Sequence, residues 1–361
     1  MAKIETTVLA VRDLASNERF AACEDPHHLL DFAPCKLKAY ASNPFLPAPD
    51  APCRLIGVKD GMVVGCRNSF PGKFVADGKS HDNRISGSVY VDPRCRASLY
   101  ALTLLHQALK FPGGELNINC WMSRQNQKFY RLFGSGMIRF VAFDAGGRWS
   151  RYLQKVTFPR WKAIVAVCVN QVAAFACAFL DGRRWRGLPA WSVRMTERPD
   201  DWMLAEACEL VCRDSHRYRQ EITPDWIRWT LGNDFKESRR KLFVRVCAGD
   251  SLVGFALVRV DIRAKFNKIY EWQVASQYAA QEADFLSVVA RQIQKYGCRV
   301  QVAVGADNGD VVARLRERFP ATSENYAAIT IAEGSRYNGF PGIKDSRNWR
   351  ARPGMGDASL W

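Results

Sequence analysis

Long apolar runs are scarce in this 361-residue chain. The longest, Ala163 to Leu180, is broken by Asn170 and Gln171 and is shorter than the roughly 20 residues that span a bilayer, so the sequence predicts no transmembrane segment and at most contact with a membrane surface. Twelve cysteines supply no metal-ligand pattern. Cys208 and Cys212 stand one helical turn apart, but no partner pair of His or Cys lies nearby, which makes them packing residues. The others are scattered through strand-like and helix-like segments (Cys66, Cys120, Cys168, Cys177, Cys247) and read as small buried thiols in a reducing compartment, by default the cytoplasm. His27 and His28 are adjacent and would point apart on a helix, so they share no metal. No secretory pattern follows Met1, since Lys3 and Glu5 precede only a short apolar run.

Acidic residues are also few. Thirty-six Asp and Glu face 52 Lys and Arg, a formal charge of +16. Half of that excess, a net +8, falls between Arg148 and Arg198, where Asp181 and Glu197 are the sole acids. The concentration describes a basic protein with a solvated connector in its middle, or a surface for a polyanion: nucleic acid, an anionic sugar nucleotide or an acidic lipid headgroup.

What is present is enough for two ordinary cores: 48% hydrophobic and 12% aromatic residues over a length that suggests two domains. The organising stretch is Ser88 to Leu105. Val89 and Val91 alternate as in a strand, Pro93 and Arg94 turn the chain, and apolar residues from Leu99 to Leu109 recur at helical spacing. A basic turn between strand and helix directs backbone N–H groups and a helix N-terminus to one place, which favours a phosphate or pyrophosphate. Glu115 to Trp121 predicts the next strand and Ser123 to Gly136 a short helix. Upstream, Thr6 to Val11 predicts a strand, Ser16 to Phe32 a helix, Arg54 to Cys66 a hairpin around Asp60-Gly61, and the polar, Gly-rich stretch from Arg67 to Asn83 a loop.

This order then repeats. Tyr40 and Gly65 are 25 positions apart, and so are Trp229 and Gly254. Arg245 to Gly254 forms a second hairpin, and Lys268 to Val274, Asp284 to Tyr296, Arg299 to Val304 and Asn308 to Phe319 follow as strand, helix, strand and helix. An internal duplication of one mixed α/β module accounts for the chain better than one large domain. The copies differ: the second turn, Ser276 to Ala283, has neither glycine nor arginine.

Strand, V-x-P-x-x-R turn, helix, strand and a helix with tyrosine four residues before glycine resemble the GNAT acyl-CoA N-acyltransferases. Over Leu37 to Ala332 the chain is similar to tandem GNAT proteins with a degenerate second copy. The resemblance implies a mixed α/β fold of two modules, each a mostly antiparallel mixed sheet flanked by helices. It implies residues 1–146 as the first module with the acyl-CoA site, 147–187 as a basic linker helix, 188–334 as the second module and 335–361 as a flexible or draped tail.

It implies acetyl-CoA as acyl donor, no metal, and transfer to a primary amine such as an amino sugar or a polymer-borne amine. The coenzyme would lie along Val89 and Val91 and against Arg94, Arg96, Ala97, Ser98, Leu99, Tyr100 and Ala101, with Ser123 where the family has a helix asparagine. Arg96 matches the family's arginine, while Ala97, Leu99 and Ala101 stand where glycines are usual, and leucine disfavours φ > 0. Tyr130 matches the tyrosine that protonates the leaving thiolate; the second copy has Leu315 there, and Asn308 matches its helix asparagine. The general base stays open among Asp82, His81, Asp92 and Glu271, with water as a further relay. Two other readings of the same charge are a catalytically silent module that binds nucleic acid or another polyanion, and a transferase whose acceptor amine sits on nucleic acid.

Overall fold

The computed structural model describes residues 4–16, 18–31, 33–122, 124–145, 185–233, 239–261, 266–296 and 299–353. In chain order they form β1 (Glu5–Ala10), α1 (Pro34–Ala41), β2 (Pro52–Lys59), β3 (Met62–Ala76), β4 (Lys79–Val91), α2 (Tyr100–Leu109), β5 (Leu116–Met122), α3 (Arg124–Leu132) and β6 (Gly136–Asp144). There follow β7 (Ser192–Thr196), α4 (Asp201–Cys212), β8 (Tyr218–Gln220), α5 (Pro224–Gly232), β9 (Arg239–Ala248), β10 (Ser251–Asp261), β11 (Phe266–Val274), α6 (Glu282–Ile293), β12 (Arg299–Gly305), α7 (Gly309–Arg318) and β13 (Ala321–Ile331). Most of the basic connector at 147–187, with its Ala163 to Leu180 run, lies outside the described residues. Among the described residues no helix is long and apolar enough to cross a membrane.

Local chemistry explains the elements and two departures from expectation. Asp60-Gly61 takes left-handed dihedrals, φ 51° and 72°, and closes the β2–β3 hairpin as the D-G signature requires. The same device recurs at Asp77-Gly78, φ 48° and 77°, so Arg67 to Asn83 is not a loop but the body of a long β3–β4 hairpin. Its polarity misled because Arg67, Asn68, Ser69, Asn83 and Arg84 are all buried. The helix expected over Ser16 to Phe32 is also absent from the described residues, where a short 3-10 turn at Glu18–Phe20 stands instead. There the Asp25 carboxylate accepts from the N–H of Leu29 (2.8 Å) and Leu30 (2.6 Å), taking donors a helix would need. The α-helix begins only at Pro34, with proline at its first position, as α5 begins at Pro224 behind the Thr223 cap.

Two compact units gather these elements: residues 1–138, 216–235 and 326–361, and residues 139–215 and 236–325. The copies read from the sequence repeat an order of elements, whereas the units are spatial, and each takes its final strand from the other copy. In the first unit β1, β2, β3 and β4 run antiparallel in succession, β5 joins β4 in parallel, and the Tyr326–Ile331 part of β13 closes antiparallel on β5. In the second, β7, β9, β10 and β11 run antiparallel, β12 joins β11 in parallel, and the Phe140–Asp144 part of β6 closes antiparallel on β12. The duplication thus extends to register: Gly65 pairs with Val91 and Gly254 with Val274.

Each unit has its own core. In the first, Leu55, Val64, Val91, Tyr100, Leu104 and Ala108 pack α2 onto the sheet, while Leu105, Met122, Tyr130 and Ala328 seat α3. The described part of the tail, 335–353, packs on the sheet: Tyr337 and Trp349 are buried against Phe74, and Tyr337 Oη donates to Asp82 O at 2.9 Å. In the second unit α6 and α7 cover β10, β11 and β12 through Phe285, Leu286, Val289 and Leu315.

Gly57 and Gly65 let α2 approach, because a Cβ at Gly57 would overlap the Tyr100 ring and one at Gly65 would press its edge. Gly57→Ala is expected to lower unfolding stability by ~1–3 kcal/mol through overpacking, read from urea denaturation. Gly232→Ala, which meets open space, serves as the control and costs nothing.

Candidate functional site

The site begins where two strands part. β4 and β5 are paired at Arg84–Asn117, Ile85–Ile118 and Ser86–Asn119, and there the ladder stops. Beyond it Gly87, Tyr90 and Val91 pair with β3, none of them has a β5 partner among the described residues, and Met122 pairs with Tyr326 of β13. A one-residue bulge in β4 opposite Arg67 steers the strand at that point. The result is a wedge whose β4 wall has backbone groups without ladder partners on β5.

At the mouth of the wedge stands the basic turn. Pro93–Ser98 is a 3-10 turn, Leu99 follows at φ 55° and ψ 23°, and α2 starts at Tyr100 without a side-chain cap. Leu99 therefore takes the left-handed conformation that glycine would take freely, and its side chain is 63% exposed. Its sequence disfavours that geometry, and the surrounding turn imposes it. The first N–H groups of α2 have no intrahelical acceptor, and the helix dipole adds positive potential there. Arg96 anchors through Nε to Val91 O at 3.3 Å and is otherwise exposed.

Asp92 holds the turn. Its carboxylate accepts from Arg94 N (2.8 Å), Arg94 Nε (3.0 Å), Arg94 Nη2 (2.9 Å) and His27 Nε2 (2.9 Å). The hydrogen bonds from Arg94, then that from His27, hold its carboxyl well below the usual carboxylate range. Arg94 is thereby committed to Asp92 rather than free for a ligand. His27 and His28 point to separate carboxylates, Asp92 and Asp31.

At the foot of the wedge Tyr130 is 5% exposed, and its hydroxyl donates to Asn119 Oδ1 at 3.0 Å. Asn119 Nδ2 in turn donates to Asn117 Oδ1 at 3.1 Å, and Arg67 Nη2 reaches the same Asn119 Oδ1 at 2.5 Å. Asn119 and Arg67 were missed in the sequence; the alternation in Leu116–Met122, with asparagine at the two successive positions 117 and 119 of one strand face, is the signal that could have found Asn119.

The other expected residues are distributed as follows. Val89 is 41% exposed on the wedge strand, Val91 is buried in the α2 core, and Ala97, Ser98 and Ala101 lie in the turn and first helical turn. The Tyr100 side chain faces the core, with Oη 2.8 Å from Thr6 Oγ1, and burial pushes its phenol up to about 12, so only its backbone is available to a ligand. Ser123 lies outside the described residues. Asp82 and His81 sit near the start of β4, about 13 Å before Ser86 at strand rise, so the structure does not bring Asp82 to Tyr130. Glu271 is fully buried on β11 of the second unit, where it accepts from Trp272 N at 3.1 Å. Burial raises the Cys53 thiol to about 12 and raises Cys66 as well, which leaves both unreactive.

The second copy repeats the wedge and fills its mouth. The β11–β12 ladder ends at Ile269–Val302, leaving Tyr270–Val274 apart from Ala303–Gly305. Its 3-10 turn leads into α6 with Gln281 at φ −107°, not left-handed. The Glu282 carboxylate occupies the helix start and accepts from Trp272 Nε1 (2.7 Å) and Asn308 Nδ2 (3.2 Å).

No protein-family model matches the chain, and no curated protein matches it. Solved structures do. A probable N-acyltransferase from Enterococcus faecalis aligns at TM-score 0.54 with 11% identity, over 92% of this chain and 73% of that one. Saccharomyces cerevisiae N-myristoyltransferase with bound myristoyl-CoA aligns at 0.51 with 9% identity, over 92% and 84%. A tandem GNAT protein from the clavulanic acid biosynthesis pathway aligns at 0.50 with 13% identity, over 92% and 100%. At these identities the likeness establishes the fold: this chain has the tandem GNAT fold.

Asp92 ties the turn to pH. A carboxyl depressed in the folded state contributes stability above the ordinary carboxylate value, about 4, and that contribution is lost as pH falls below it. Wild type is expected to exceed Asp92→Asn in urea midpoint at pH 7, with the gap beginning to narrow below about pH 4 and narrowing further as the pH is lowered toward the depressed value of the folded state. A constant gap would mean the carboxylate charge contributes nothing.

Proposed function

On the tandem GNAT fold, we propose that the protein is an acyl-CoA-dependent N-acyltransferase whose first copy holds the donor, with acetyl-CoA as the first donor to test and a primary amine, such as an amino sugar or a polymer-borne amine, as acceptor. The observation that carries this reading is the wedge with its two ends: a left-handed basic turn and helix N-terminus at the mouth, and a hydrogen-bonded tyrosine at the foot. Such a slot suits a long thioester with a pyrophosphate at one end and a reacting carbonyl at the other.

In this reading the first N–H groups of α2 and the Arg96 guanidinium take the pyrophosphate oxygens. Unpaired backbone groups of Gly87–Val91 take the amides of the pantetheine arm, and one N–H polarises the thioester carbonyl as the neutral amine attacks. The coenzyme supplies the activated acyl group and a good leaving thiolate. Tyr130 gives its proton to the departing sulfur, and the acceptor's surplus proton leaves through water. Asp92 is a poor base because three donor groups of Arg94 and one of His27 stabilise its ionised form; it holds the turn instead. The second copy, whose helix start is filled by Glu282, takes no donor.

Tyr130→Phe tests the reading. It removes the proton while the ring stays among Leu105, Met122 and Ala328, and Asn119 Oδ1 keeps Arg67. Coenzyme A should still bind, stability should fall by about 1 kcal/mol for one lost hydrogen bond, and turnover or slow thioester hydrolysis should fall ~10²–10⁴-fold. Unchanged turnover with a shifted melting temperature would make Tyr130 a core residue only.

A further inference from the structure

The vertex of the first wedge holds a buried cation that no carboxylate among the described residues neutralises. Arg67 is 0% exposed. Its Nη2 donates to Asn119 Oδ1 at 2.5 Å, while Nε and Nη1 have no partner, and no carboxylate among the described residues pairs with it. Arg84, almost as buried, shows the contrast: carbonyls of Pro112 (2.8 Å), Pro52 (2.7 Å) and Ser69 (3.4 Å) surround its guanidinium. Burial of a guanidinium without such compensation is costly and calls for an anion.

The neighbouring orphan groups point the same way. Ser69 is paired opposite Ser86, and Ser86 opposite Asn119, which places Arg67, Ser69, Ser86, Asn117 and Asn119 on one face of β3, β4 and β5. It is the face α2 covers, since Tyr100 lies against Gly65 two residues before Arg67. On these strands the buried unpartnered atoms of that face are Arg67 Nε and Nη1, Ser69 Oγ, Ser86 Oγ and Asn117 Nδ2, every one able to donate. On these strands the orphan acceptors, Asn68 Oδ1 and Asn83 Oδ1, belong to the opposite face, where Asn83 borders Gly72; on α2, Gln107 Oε1 is a buried orphan acceptor. The second copy lacks the arrangement: counted from Gly254 as Arg67 and Ser69 are from Gly65, the positions hold Ala256 and Val258, both fully buried.

We propose that Arg67, with the Ser69 and Ser86 hydroxyls and the Asn117 amide, is a binding site for a substrate carboxylate at the wedge vertex. The guanidinium fork matches the two carboxylate oxygens, and the hydroxyls and amide supply the remaining donors. Ser86–Asn119 is the last bonded pair of β4 and β5, so a ligand that reaches the patch breaks no ladder. The carboxylate comes from one of two sources: the far end of a dicarboxylic acyl group on the donor, or the acid group of an amino-acid acceptor. The inference rests on the acyl-CoA reading for its position and can be tested apart from it.

The test is calorimetric titration of wild type and Arg67→Gln in two arms. In the first, coenzyme A, acetyl-CoA, malonyl-CoA and succinyl-CoA are compared. In the second, amino acids and their decarboxylated amines (alanine and ethylamine, phenylalanine and phenethylamine) are compared with and without acetyl-CoA. A preference of at least ~10-fold for the acid-bearing member in one arm is expected, as charged hydrogen bonds give, abolished in Arg67→Gln while coenzyme A binds both proteins alike. The arm that shows it names the source. Equal affinities in both arms, or a preference that survives Arg67→Gln, would overturn the site and make Arg67 a packing residue. Failure of coenzyme A to bind, with the preference intact in the second arm, would sink the acyl-CoA reading alone. If Arg67→Gln does not fold, Ser86→Ala provides the readout, with a several-fold loss of the same preference and no change for acetyl-CoA.

Discussion

The end of the β4–β5 ladder at Ser86–Asn119 is the constraint on which the site depends. Parallel strands that stay paired would bury their backbone groups in each other and leave no slot. Here the β4 bulge turns the strand away, β3 keeps it in the sheet, and β13 keeps β5 in place on its other side. The same divergence sets the positions of α2 and α3, because each helix follows directly on one of the two parted strands. The turn with Leu99 and the hydroxyl of Tyr130 therefore fall at opposite ends of one opening.

The duplicated copies keep this backbone plan and differ in what fills it. Where the first copy leaves a helix start uncapped behind a left-handed residue, the second places the Glu282 carboxylate at its helix start, held by Trp272 and Asn308. Where the first copy buries Arg67, the second buries Ala256. A carboxylate at a helix N-terminus and an apolar wedge vertex stabilise a fold without inviting an anion. The asymmetry is chemical, and it is the ground on which the donor site is proposed for the first copy.

The sequence made the order of elements legible because the hairpin turns and the helical periodicities are local. Asp60-Gly61, the Val89-Val91 alternation and the Leu99 to Leu109 spacing each specify structure within ten residues. It misled at Arg67 to Asn83, where polar residues reach across strands to partners that no local pattern reveals: Arg67 to Asn119, Arg84 to Pro112 and Pro52. The exchange of final strands between copies is likewise a long-range choice, invisible to periodicity. Leu99 shows a third kind of limit, since leucine argues against φ > 0 and the tertiary turn overrides that preference.

The most direct measurement is the stoichiometry of coenzyme A binding by isothermal titration calorimetry on the full chain. A donor site confined to the first wedge predicts saturable binding of one molecule per chain with an affinity in the ~10–100 μM range. Two equivalent sites would contradict the asymmetry between the copies, and no heat at millimolar coenzyme A would contradict the donor site itself.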